Sequence, residues 1–154
     1  MCTFLNLRRI LLILLVGAFA LTTAGTALAG KGSLPPKGAI WFGKQYAHSG
    51  GNLVIVGRKS SFRVKDNIAW VAHLKGPAGS HSLMLTLWLK KSNGKLSKVW
   101  HHGKHITDVR VTELANVVPA QDFVTLGAHP GHKYVLTYDR KKTRLAAGGF
   151  SLKK

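Results

Sequence analysis

Leucine occupies every second position from Leu83 to Leu89, with Met84, Thr86, Trp88 and Lys90 in phase between and after them. A period of two does not make a helix face. It puts one residue set on each side of a pleated strand. "SNGK", Ser92 to Lys95, follows at once, and Asn-Gly is the strongest short hairpin signal. A two-residue turn at Asn93-Gly94 predicts Leu87 opposite Trp100, Leu89 opposite Lys98, and Trp88 opposite Val99. Directly opposed residues share a face. Trp100 is therefore expected in the leucine core, with Met84, Trp88 and Val99 on the outer face. A slip of one residue reverses that assignment.

The chain repeats this grammar from Ala39 onward. Short runs of Val, Ile, Leu and aromatics alternate with Gly, Ser, Asn and Pro, and no run keeps a 3.6-residue period for long. Strands are predicted at Ala39–Gly43, Leu53–Val56, Ser61–Val64, Ile68–Leu74, Leu83–Lys90, Leu96–Trp100, Ile106–Glu113, Phe123–Leu126, Lys133–Tyr138 and Leu145–Leu152. No internal repeat is visible. The expected fold is an all-β, antiparallel β-sandwich over residues 39–154. "GKGSLPPKG", residues 30–38, reads as an extended linker, because Pro35 and Pro36 exclude regular structure there.

Residues 1–29 read as an export signal with a signal helix. Arg8 and Arg9 precede the apolar run Ile10 to Leu21, and "ALA" at residues 27–29 is a small-residue cleavage site. Ile10 to Leu28 is also long enough to stay as an uncleaved anchor. The arginine pair leaves a twin-arginine route open, although the very apolar run favours the general one. Lipidation at Cys2 is disfavoured, since Cys2 precedes the apolar run. The expected location is secreted or periplasmic. Cys2 is the only cysteine. A processed chain would have no thiol, disulfide or cysteine metal site. Without Arg8 and Arg9, 21 basic residues face five acids, a net charge of +16.

"HPGHKYVLTYDRKKTRLAAGGFSL", His129 to Leu152, resembles the last hairpin of bacterial secreted immunoglobulin-like sandwiches. The resemblance rests on Pro130-Gly131, the alternation Tyr134/Leu136/Tyr138, the basic turn Arg140 to Thr143, and the last strand Leu145/Gly148/Phe150/Leu152. "FRVKDNIAWVAHL", Phe62 to Leu74, is similar to their early strand pair. The resemblance implies an immunoglobulin-like fold and no catalytic residue. In such domains the corner tyrosine stands two residues after glycine. Here Tyr134 follows Gly131 by three, so its hydroxyl is expected to miss the usual corner hydrogen bond.

"HHGKH" places His101, His102 and His105 close together. Adjacent histidines on a strand point to opposite faces, whereas a loop at Gly103 would let His102 and His105 converge. A metal site needs three or four ligands. The one nearby carboxylate is Asp108, among Lys98, Lys104 and Arg110, in a field that repels cations. A solvated basic loop is the preferred reading, and no cofactor or metal is expected; His102 and His105 are the weak metal candidates. His129 and His132 read the same way, and His48, His73 and His81 have no evident partner. Catalysis finds no footing either. "GSHS" and "AHSGG" put Ser beside His without a hydrolase elbow, and the five acids are scattered singly.

The charge is the distinctive feature. Candidate polyanion-binding residues are Lys90, Lys91, Lys95 and Lys98 around the hairpin, with Arg140, Lys141, Lys142 and Arg144 as a second cluster. Trp88 is the aromatic expected to stack beside the first, unless it is buried under Ala39 to Phe42. The expected function is a non-enzymatic exported domain attaching to an anionic polymer or membrane surface. The alternatives are a protein-interaction or inhibitor module, or a His-loop metal-binding protein. A plain solvated basic surface with no partner is the competing explanation of the charge. No RNP or helical DNA-reading motif appears, so no intracellular nucleic-acid role is expected. Eight histidines would raise the charge toward +24 in mild acid.

Overall fold

The alternating strand Leu83–Lys90 forms as read, and its leucines lie at the centre of the molecule. Leu83 and Leu87 are fully buried, Leu85 nearly so, and Met84 faces solvent at 39% exposure. The structure, a computed structural model, describes residues 32–154. The export segment read at residues 1–29 lies outside them, as do Gly30 and Lys31 of the linker.

Among the described residues nine strands follow in order: β1 (Ala39–Ser49), β2 (Asn52–Arg58), β3 (Ser61–Arg63), β4 (Asn67–His73), β5 (Ser82–Lys90), β6 (Leu96–His105), β7 (Glu113–Pro119), β8 (Lys133–Arg140) and β9 (Thr143–Lys153). One short helix, α1 (Ala120–Thr125), stands between β7 and β8. The sheet runs β6–β5–β8–β9–β1–β4–β7, with β2 added to β1 and β3 to β9. The pairings are antiparallel except for β9 with β3 and the single bridge Ala39↔Ala147 between β1 and β9. At that bridge the sheet turns from one layer of the sandwich into the other. Both layers face one core, which includes Phe42, Phe62, Trp70, Leu87, Tyr134, Leu136, Tyr138 and Phe150. Each large apolar side chain removed from water there contributes about 1.5–3 kcal/mol. Trp70 and Tyr138 bring polar atoms into it, and they satisfy each other: the indole Nε1–H donates to the Tyr138 hydroxyl at 3.2 Å.

The hairpin β1–β2 turns on Gly50-Gly51, both at positive φ (56° and 82°), as a tight two-residue turn requires. Ile55 and Leu53 of β2 then pack on Trp41, Ala69, Val71 and Ala115, a second apolar cluster. The linker segment is extended but docked. Ser33 pairs with Ile55, and the Pro35 carbonyl oxygen lies 2.8 Å from His73 Nδ1.

Three expectations are corrected. Residues 106–112 are a loop, not a strand: the Asp108 side chain accepts from Arg110 N–H at 2.9 Å, a local turn that competes with the ladder. Residues 123–126 are not a strand either. They fall in and just after α1, which begins after Pro119, carries Asp122 in its first turn and buries Ala120 and Phe123. Phe123 meets Trp70 and Phe150 at centroid distances of 6.1 and 5.4 Å, and this packing holds a helix too short to form alone. Finally, Tyr134 does make a corner bond. Its hydroxyl accepts from His129 N–H at 2.6 Å and donates to the His129 carbonyl at 2.9 Å.

Candidate functional site: the outer face around Trp88

The register of the β5–β6 hairpin decides which residues share the outer face. Lys91 N–H donates to Lys95 O, Gly94 N–H donates to Lys91 O, and Gly94 sits at φ 79°. This is a three-residue loop closed by a glycine bulge, not the two-residue turn expected. It shifts the pairing by one, so that Lys90 faces Leu96, Leu89 faces Ser97 and Trp88 faces Lys98. A second irregularity, at Val99, restores the expected register, and Leu87 pairs with Trp100. Two bulges thus cancel beyond Val99. Val99 and Trp100 both pack against the core, so Val99 is not on the outer face as expected, while Trp100 is where the sequence put it. Lys98, expected on the leucine side, instead shares the outer face with Trp88.

Trp88 is half-buried on that face, away from the Ala39–Phe42 segment, and it is fixed by a closed set of contacts. Its Nε1–H donates to Thr137 Oγ1 at 3.1 Å, and that hydroxyl donates to Asp139 Oδ2 at 2.8 Å. Asp139 pairs with Arg144 at 3.1 Å. The Arg144 guanidinium returns to the indole, 5.9 Å from the ring centroid, and the Lys98 ammonium approaches it at 5.8 Å. Both distances lie near the outer limit of a cation–π contact, so the two cations flank the ring. The two basic clusters therefore meet at one aromatic.

Not every candidate joins this face. Lys91 and Lys95 are exposed at the hairpin tip. Lys141 and Lys142 are exposed at the β8–β9 turn, at the opposite end of the strands. Arg140 turns away and donates to the Ala78 carbonyl at 3.3 Å. One contributor was missed by the sequence reading. Lys133 stands directly opposite Lys90 across β8 and β5. Its place was readable, since the period of two that buries Tyr134, Leu136 and Tyr138 puts Lys133 on the other side. Directly opposed like charges repel, and among the described residues neither lysine has a carboxylate partner. Arg58 lies off this face on β2, its guanidinium 3.6 Å from the Trp41 ring centroid.

The acids leave this surface positive. Among the described residues the ion pairs are Lys59–Asp66, Arg110–Asp108 and Arg144–Asp139. Glu113 accepts from the Leu53 backbone N–H at 2.6 Å. Asp66 is held below the usual carboxylate range by the Arg63 backbone N–H and then by Lys59; Asp108 is held there by Arg110. Next to the face run two shallow depressions of about 310 and 350 Å³. They share Ser60 and Gly149, and between them are bordered by Arg58, Lys59, Lys90 and Lys133.

The histidine motif is strand, not loop, because β6 continues to His105. Positions three apart on a strand point to opposite sides, so His102 and His105 do not converge. His102 stacks on Trp100 at 5.9 Å and His105 on His81 at 6.3 Å. His81 Nδ1 lies 3.0 Å from the Ile106 carbonyl oxygen. Asp108 is engaged by Arg110. Among the described residues no group of three or more His, Cys, Asp or Glu is placed to hold a metal.

No protein-family model matches the chain, and no curated protein matches it. Among solved structures, the chain is similar to an immunoglobulin-like protein from Pseudomonas aeruginosa. The two share 12% identity over 84% of this chain and 100% of that one, with a TM-score of 0.46.

Proposed function

We propose that this chain is an exported, non-enzymatic binding domain that attaches to anionic polymer through the outer face of β6, β5, β8 and β9. The observation that carries the reading is the convergence of Lys98 and Arg144, from separate hairpins, on the ordered ring of Trp88. The unneutralised pair Lys90 and Lys133 adds charge one row away. Binding would proceed by counterion release.

The test compares two variants of equal charge. In one, Lys90, Lys98, Lys133 and Arg144 become Gln. In the other, Lys91, Lys95, Lys141 and Lys142 do. Each is eluted from heparin, nucleic acid and anionic liposome matrices by a salt gradient beside the unaltered protein. The face variant should elute at markedly lower salt than the tip variant, because each lost contact removes about 0.7–0.9 from the slope of log K against log salt. Elution of all three proteins together at low salt would reject the reading. Binding to a protein partner that resists salt would favour an interaction module.

A further inference from the structure

The two depressions beside the Trp88 face adjoin at Ser60 and Gly149, and we infer that together they form one open groove whose occupant is an acidic polysaccharide chain. This rests on the polyanion reading and names the ligand class for the groove beside that face.

The groove begins at the pair Lys90 and Lys133. It passes over Val135, Gly149, Ser151 and Ser60, and ends at Trp41 and Arg58. Gly149 pairs with Val135, which pairs with Trp88, so Trp88 stands two strand spacings from the floor glycine, about 10 Å. Both ends are cationic, and among the described residues Lys90, Lys133 and Arg58 form no ion pair with a carboxylate. At one end the two lysines oppose each other across the strands, a repulsion that an anion between them removes. At the other end the Arg58 guanidinium is held over Trp41, 3.6 Å from the ring centroid. A guanidinium held in this way presents a fork matched to a carboxylate. Lys59, which also borders the groove, is already engaged by Asp66 at 2.9 Å.

The floor between the ends carries serine hydroxyls and small apolar atoms, which suit the hydroxyls and C–H faces of sugar rings. A single-stranded nucleic acid fits less well. It needs successive aromatic platforms for successive bases. Trp88 offers one, but Arg58 already covers the Trp41 ring face.

Gly149 makes the inference testable without altering charge. It has no positive φ, and a Cβ there would meet only the Tyr134 carbonyl oxygen, at 3.5 Å, an ordinary contact. Gly149→Leu fills the groove floor and leaves every cation in place; Ser60→Leu, on the loop that borders both depressions, is the second obstruction. Binding is measured calorimetrically with oligogalacturonate of defined length, a neutral glucan of equal length and a single-stranded oligodeoxynucleotide. Melting curves establish that each variant is folded. The protein should bind oligogalacturonate and not the neutral glucan, and each obstruction, like Arg58→Gln, should weaken that binding about tenfold. Unchanged oligogalacturonate binding by both folded obstructions would overturn the groove. If the protein then still binds heparin, the broader polyanion reading stands without it. Dependence on Gly149 for the oligodeoxynucleotide alone would assign the groove to nucleic acid instead. Failure to bind any anionic probe would reject both readings.

Discussion

Alanine at Gly148 and alanine at Gly149 should have opposite effects, although the two positions are adjacent on one strand. A Cβ on Gly148 would lie inside contact distance of the Ile40 carbonyl oxygen, 2.7 Å from Ile40 Cβ and 2.8 Å from its carbonyl carbon. These carbon contacts fall about 1 Å short of the optimum of ~3.5–4.0 Å. Backbone cannot rotate aside as a side chain does, so β1 must retreat from β9. What holds the two strands together there is slight: one bridge, Ala39↔Ala147, and the hydrogen bond from Ala147 N–H to Gly38 O at 3.0 Å. The retreat also opens the contact of Phe42 on Phe150, whose centroids are 5.0 Å apart. Overpacking of this kind costs about 3 kcal/mol. At roughly 4 °C per kcal/mol for a domain of this size, the melting midpoint of Gly148→Ala should fall by about 12 °C. Gly149→Ala meets no such obstacle. It restricts the unfolded chain and should gain about 0.5 kcal/mol, or roughly 2 °C. Thermal unfolding followed by circular dichroism, with urea unfolding followed by tryptophan fluorescence, measures both. An unfolding midpoint for Gly148→Ala equal to that of the unaltered protein would refute the reasoning. So would an equal loss in both variants, because the approach of β9 to β1 would then not set the cost.

Two further outcomes are expected. Burial pushes the Tyr138 hydroxyl from 10.0 up to about 12, against a smaller opposing effect of the Trp70 hydrogen bond. The neutral form is the stable one in the fold, so this contribution is fully present below pH 10.0 and is lost as pH rises through about 12. Two pH units correspond to about 3 kcal/mol; Tyr138→Phe should flatten that alkaline decline in urea titrations, and a decline as steep as that of the unaltered protein would count against it. Stoichiometric zinc should leave the melting midpoint unchanged, because His102 and His105 lie on opposite sides of β6. A rise of several degrees, abolished by His102→Ala plus His105→Ala, would show that the strand rearranges around metal.

The sequence by itself determined the class of fold and the core. A period of two in Leu83–Lys90 and in Lys133–Tyr138 needs no tertiary information to assign faces: Leu83, Leu85, Leu87, Tyr134, Leu136 and Tyr138 are buried as read, whereas Thr86 and Thr137 on the other side are buried as well. The charge and the scattering of the acids were equally plain. Local chemistry competing with the period of two accounts for the misses. Asp108 bends residues 106–112 through its own side chain, and Pro119 with Asp122 starts a helix where apolar residues alone read as strand. The histidine motif was misread for the opposite reason, since Gly103 suggested a loop and the ladder to β5 kept it straight.

Only the tertiary structure decided the site. Whether Lys98 joins Trp88 depends on the bulge at Gly94, which shifts the register by one before the irregularity at Val99 shifts it back, and no local signal fixes both. The meeting of Arg144 with Trp88 joins residues far apart in the chain through strand order, whereas Arg58 reaches Trp41 across the β1–β2 hairpin. Pattern along a chain specifies which side a residue faces. Which residues become neighbours on that side is set by which strands pair, and that follows from burying one shared core.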